Sequence, residues 1–136
     1  GYDKPLMILF EDKQCAECDR FHDKTLNHPD VLSALEGYLF VRLNTDSSQT
    51  LIDLDGRVTT PKQWAEELGL TFRPAFVLLN AGKEQFRAEG ILYHQHLSEG
   101  LVYTKTGYSR YESLRDFKTV YREALLNSGK NVDFSE

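Results

Sequence analysis

The sequence predicts an α/β fold: a mixed central sheet with helices on both faces, in one domain of residues 1–136. Three observations predict it. Apolar runs of strand length alternate with segments of helical period. That alternation favours parallel pairing of the first strands. A closing strand–turn–strand unit then adds an antiparallel edge. The chain has 136 residues and is 40% hydrophobic, enough for one core and too short for two comfortable ones.

The elements follow in order. Pro5 to Phe10, "PLMILF", is a continuous apolar run bounded by Pro and by "EDKQ", so it reads as a buried strand. From Ala16 the period becomes helical, with Cys18, Phe21 and Thr25 on one face. "NHPDVLSALEG" reads as a second helix, with Pro29 in its first turn and Gly37 past its end. Tyr38 to Asn44 alternates as a strand, Leu39, Val41 and Leu43 on one face and Tyr38, Phe40 and Arg42 on the other. "TDSSQTLIDLDGRVT" is polar and turn-rich, with Asp55-Gly56 its clearest turn, and reads as an insert. Thr60 to Gln63 is a capping box with Pro61 at the first helical position, opening "PKQWAEEL", which stops at Gly69. "AFVLLN" is a second buried strand, and "KEQFRAEG" pairs with it across Ala81-Gly82.

Leu97 and Leu101 suit a short helix. Ser109 to Glu112 reads as another capping box, and Leu114, Phe117, Tyr121 and Leu125 as the apolar stripe of a terminal helix. Residues 127–136 read as a frayed tail.

Charge narrows the function. Net charge is −5 with no cluster of Lys or Arg, so a nucleic-acid partner is not expected. No apolar run approaches the roughly 18 residues of a membrane span.

The chemistry lies in "FEDKQCAEC", which holds the only two cysteines, Cys15 and Cys18. A Cys-x-x-Cys pair where a strand passes into a helix puts the first sulfur at the helix N-terminus. There unpaired N–H groups and the helix dipole favour a thiolate. The second sulfur can then resolve a mixed disulfide within the chain. A zinc site of Cys15, Cys18, His22 and His28 has suitable ligand atoms, but all four lie within fourteen residues, whereas structural zinc joins distant segments. A buried, inert pair is the third reading. His94 and His96 read as surface histidines, Trp64 as core, and Tyr103, Tyr108, Tyr111 and Tyr121 as packing of the last helices.

The ordered set of strand, "CAEC", strand "FVRLNTD", helix and "FRPAFVLLNAGKE" resembles the thioredoxin superfamily across nearly the whole chain. The resemblance implies a thioredoxin fold, with Pro74 as the cis-proline that faces the active-site disulfide and Arg42 where a lysine is common. More narrowly, "LIDLDGRVTTPKQWAEELGLTFRPAFVLLNAGKEQFRAEG" and "YHQHLSEGLVYTKTGYSRYESLRDF" look like the SoxW-type periplasmic proteins of bacterial sulfur oxidation. Those carry an acidic residue where this chain has Glu11.

On that resemblance the expected activity is thiol–disulfide exchange on oxidised protein thiols. A membrane thiol reductase is the implied electron donor, with no cofactor, in a periplasmic monomer; a cytoplasmic location is the alternative. Cys15 is the implied nucleophile, Cys18 the resolving thiol, Glu11 a candidate proton acceptor, and Ala16, Glu17 and Arg73 the substrate-facing positions. A protein-binding adaptor without turnover is the rival reading. Departures are the Ala16-Glu17 dipeptide, Gln14 in place of Trp, Leu9 in place of a buried Asp, and Arg73 before the proline. Glu17 is expected to disfavour a Cys15 thiolate, and Arg73 to turn either toward Cys15 or out to solvent.

Overall fold

The computed structural model describes residues 4–90 and 93–106. Its central sheet has four strands in the order β2-β1-β5-β6, where β1 is Leu6–Glu11, β2 Leu39–Asn44, β5 Ala75–Asn80 and β6 Lys83–Glu89. β1 runs parallel to β2 and antiparallel to β5, and β5 runs antiparallel to β6. The mixed sheet expected from the sequence is therefore present.

β1 and β5 are the inner strands, and their composition requires it. Met7, Ile8, Leu9 and Phe10 are each at most 1% exposed, so both faces of β1 are covered. Side chains alternate across the sheet. Met7 and Leu9 join one core with Phe21, Val31, Leu97 and Leu101, while Ile8 and Phe10 join the other with Ala65 and Leu70. Full burial of such side chains contributes about 1.5–3 kcal/mol each.

The first core is roofed by α1 (Ala16–Arg20), a π-helical turn (Phe21–Thr25), α2 (Pro29–Ala34) and α4 (His94–Thr106). The second is roofed by α3 (Pro61–Glu67), whose Trp64 meets Phe10 edge to face at 5.8 Å. Trp64 is thus a packing residue, as expected.

The helix boundaries follow from their caps. Thr60 Oγ1 accepts the N–H of Gln63, opening α3 as the capping box predicts. Pro29 starts α2, and Gly37, at φ +86°, turns the chain out of it. The insert forms a small hairpin, β3 (Leu51–Ile52) with β4 (Val58–Thr59). Asp53 Oδ1 accepts N–H bonds from Asp55 and Arg57 and so builds the Asp55-Gly56 turn.

Four differences from the sequence reading have physical causes. The helix after the cysteines widens into a π turn, closed by Leu26 N–H to the Phe21 carbonyl at 2.8 Å. β2 alternates as read, Phe40 against one core and Val41 and Leu43 against the other, but Leu39 at its start stays half exposed. α4 is a thirteen-residue helix rather than a short one. It lies flush on the sheet because Gly100 leaves room for the Phe86 ring: a Cβ there would stand 2.9 Å from Cε1. Finally, His94 is buried, not on the surface, and its ring stacks on His28 at 3.7 Å. The capping box at Ser109, the stripe from Leu114, the tyrosines at 108, 111 and 121, and the tail all lie outside the described residues. No helix among those described is long and apolar enough to cross a membrane.

Candidate active site

The site forms at the C-terminal end of β1. The strand ends at Glu11, a short loop follows, and Cys15 caps α1 in an extended conformation. Its Sγ accepts the N–H of Cys18 at 3.0 Å, and its carbonyl accepts the N–H of Asp19 at 3.2 Å. Cys15 and Cys18 are joined as a disulfide. Cys15 is partly exposed, whereas Cys18 is 3% exposed. Cys15 Sγ thus stands at the N-cap of α1, while Cys18 lies within its first turn. Ala16 is exposed beside it, and Glu17 stands 3.9 Å from Arg20.

Pro74 opens β5, and its peptide bond to Arg73 is cis. β5 is antiparallel to β1, with Ala75 opposite Phe10, so the loop of Pro74 leaves the sheet at the same end as the loop of Cys15. Pro74 is fully buried, and its carbonyl accepts the N–H of Gly90 at 2.7 Å.

Two polar clusters flank this end, one on each face. Glu11 has the same parity as Met7 and Leu9, so it turns toward the α1 side. There Oε2 lies 2.5 Å from His22 Nε2, and Oε1 accepts Arg42 Nε at 3.0 Å. The Glu11 side chain is only 12% exposed, so it is not the solvated strand-end carboxylate that composition alone would allow. Glu11, His22 and Arg42 share a cleft of about 410 Å³ with Cys18, Asp12, Lys13 and Asp19.

Asp12 turns to the other face, where Arg73 Nε lies 3.4 Å from its Oδ1. Thr45 Oγ1 donates to Asp12 and stands 3.5 Å from Arg73 Nε. Arg73 Nη1 also reaches the carbonyls of Phe72 at 3.1 Å and Leu70 at 3.4 Å. The expectation that Arg73 would turn to Cys15 or to solvent is thus corrected. Asp12 and two carbonyls supply better partners, and the side chain is 13% exposed.

A second tether holds the same loop. Glu89 accepts N–H bonds from Thr71 and, at 3.0 Å, from Phe72. These bonds hold its carboxyl below the usual carboxylate range.

The zinc reading fails on geometry. Cys15 and Cys18 are bonded to each other, His22 faces Glu11, and His28 faces His94 and Asp30. The donor atoms of His28, Asp30 and His94 do lie within 4.8 Å of one another. However, the two rings are stacked with planes 4° apart, so their in-plane lone pairs lie in separate parallel planes and cannot meet at one ion.

Sequence reasoning weighed His22 only as a zinc ligand and missed Asp12. The signals were available: His22 is one turn after Cys18 on the same helix, and Asp12 is the alternate neighbour of Glu11.

Comparison with known proteins agrees with this layout. Solved structures share the fold. A thioredoxin-fold protein from Helicobacter pylori has a TM-score of 0.74 at 17% identity, covering 93% of this chain and 86% of its own. A thioredoxin from Thermus thermophilus gives 0.58 at 19%, covering 81% and 84%. The C-terminal domain of Neisseria meningitidis DsbD, in its reduced form, gives 0.54 at 19%, covering 75% and 82%. Among curated proteins, none matches the chain by sequence. The family described as "Thioredoxin-like domain" matches residues 1–105, which span every described strand and both cysteines. This chain, with its Cys-x-x-Cys pair at the head of a helix on a thioredoxin fold, belongs to the thioredoxin-like domain family.

Proposed function

We propose that the protein is a thiol–disulfide oxidoreductase that reduces disulfides in partner proteins. The observation that carries this is the Cys15–Cys18 bond at the head of α1, one sulfur partly exposed and the other buried. In the forward step the Cys15 thiolate attacks a substrate disulfide and the first substrate sulfur leaves as a thiol. Cys18 then attacks Cys15 Sγ, the second substrate sulfur leaves, and the Cys15–Cys18 bond is restored. Two electrons pass from the dithiol to the substrate.

Pro74 and the loop before it form the docking side. With its guanidinium held inward, Arg73 offers substrate its backbone, in the manner of strand addition. Phe72, 65% exposed, supplies apolar contact next to it. The resemblance to SoxW-type proteins supports a periplasmic role in sulfur metabolism or thiol maintenance, with a membrane thiol reductase as electron donor.

The test is reduction of insulin by dithiothreitol, with redox equilibration of the Cys15–Cys18 pair. The expected result is turnover that Cys15→Ser abolishes, a Cys18→Ser protein that accumulates a mixed disulfide, and a potential nearer about −270 mV than about −120 mV. Absence of turnover would favour the adaptor reading instead.

A further inference from the structure

We propose that His22, oriented by Glu11, is the base that takes the proton from Cys18 in the resolving step. The proposal rests on the oxidoreductase reading above and assigns a role in it to a residue outside the Cys-x-x-Cys motif.

Cys18 is buried, and a thiol must lose its proton before it can attack the mixed disulfide. The helix N-terminus assists Cys15 but not Cys18, which sits a turn inside. Some other group has to receive that proton. Groups facing the same cleft are Glu11 from β1, Asp12 and Lys13 from the loop after it, Asp19 from α1, Arg42 from β2 and His22 from the π turn.

Their engagements separate them. Asp12 lines the cleft, but its carboxylate is taken up by Arg73 and Thr45. Lys13 is a cation, and Asp19 is exposed to bulk water. Glu11 accepts from Arg42 through Oε1 and faces His22 through Oε2. A carboxylate at 2.5 Å from Nε2 requires a proton on that nitrogen, because only an N–H can donate to it. Neutral His22 is thereby fixed as the Nε2–H tautomer, and Nδ1 is left as the acceptor. This is the logic by which a buried acid orients a histidine beside a nucleophile. Histidine is also the side chain whose ordinary protonation change lies near neutral pH.

The step balances. The Cys18 S–H bond breaks and its proton passes through water in the cleft to His22 Nδ1. The Cys18 thiolate attacks Cys15 Sγ, the bond from Cys15 to the substrate sulfur breaks, and the departing thiolate takes a proton from imidazolium or solvent. Glu11 stabilises the imidazolium formed in between. It is a positioning residue.

The experiment follows single-turnover oxidation of the reduced protein by oxidised glutathione from pH 5 to 9, quenching with acid to count the glutathione mixed disulfide. The rate of glutathione release from that intermediate reports the resolving step. Alkylation of Cys15 by iodoacetamide reports the first thiol and the integrity of the site. In the wild type the release rate should show an inflection near neutrality. His22→Gln should slow release about 100-fold at neutral pH, at the lower end of general-base contributions. It should remove the inflection and leave Cys15 alkylation within about 2-fold. Glu11→Gln should slow release less and shift the inflection.

An unchanged release rate and pH profile in His22→Gln would overturn the proposal while the oxidoreductase reading stood. Equal loss of Cys15 alkylation and release would also overturn it, because the effect would then be structural. A wild type that forms no mixed disulfide would overturn both.

Discussion

Glu11 and Asp12 are neighbours in sequence, yet they anchor opposite arrangements on opposite faces of the sheet. On the α1 side the acid is the covered partner: Glu11 is 12% exposed, and its arginine, Arg42, is 62% exposed. On the other side the base is covered: Arg73 is 13% exposed, and Asp12 is 40% exposed. The difference teaches which group depends on its partner. A covered charge that loses its counter-charge keeps its desolvation penalty, while an exposed one returns to water. Glu11 keeps its hydrogen bond to His22 when Arg42 is removed. Arg73 also feels the charge of Glu89, and it reaches Asp12, two carbonyls and Thr45, so it fastens the loop before Pro74 to the loop before Cys15.

The largest effect should come from removing that fastening. Arg73→Ala should cost about 2 kcal/mol in urea unfolding, below the 3–5 kcal/mol range for fully buried pairs because Asp12 is partly solvated. A cost below about 0.5 kcal/mol would break the comparison. Next comes Arg42→Ala, expected to cost no more than about 1 kcal/mol, with the wild-type advantage shrinking as salt is added. If Arg42→Ala proved the more damaging of the two, the exposed arginine would be the structural one and the argument would be inverted.

The smallest effect concerns acid. The Glu89 carboxyl is held below its ordinary range by the N–H groups of Phe72 and Thr71. A carboxyl whose folded value is lowered adds stability that is complete above the unfolded value, about 4.3 for Glu. That stability is lost as pH falls through the lower folded value. Glu89→Gln should therefore flatten stability against pH in that acid window and leave it little changed at neutrality. An unaltered acid limb in Glu89→Gln would show that the two N–H bonds hold nothing that titrates.

The sequence disclosed most of what is local. Met7 to Phe10 and Ala75 to Leu79 read as inner strands because uninterrupted apolar residues have no other place in a mixed sheet. Thr60, Pro29 and Gly37 marked helix ends because capping uses only nearby atoms. Cys15 and Cys18 stood out for the same reason. What stayed hidden depends on distant chain. The His28–His94 stack joins residues far apart in sequence, so a His-x-His pair on its own looked like surface. The inward turn of Arg73 depends on Asp12 and Thr45, which only the sheet brings near. The π turn has no signature, since its apolar residues keep an ordinary helical spacing.

β1 sets the place of two loops at one end of the sheet. Cys15 follows its last residue by a short loop, and Pro74 precedes the residue opposite Phe10. The positions of these two loops are therefore measured from one rigid bar rather than across a chain of intermediates. The β3–β4 hairpin carries Ile52 and Val58 exposed to solvent and stands apart from β1 and β5. It is thus a module whose length and composition can be exchanged by design while the register of β1 against β5 is kept.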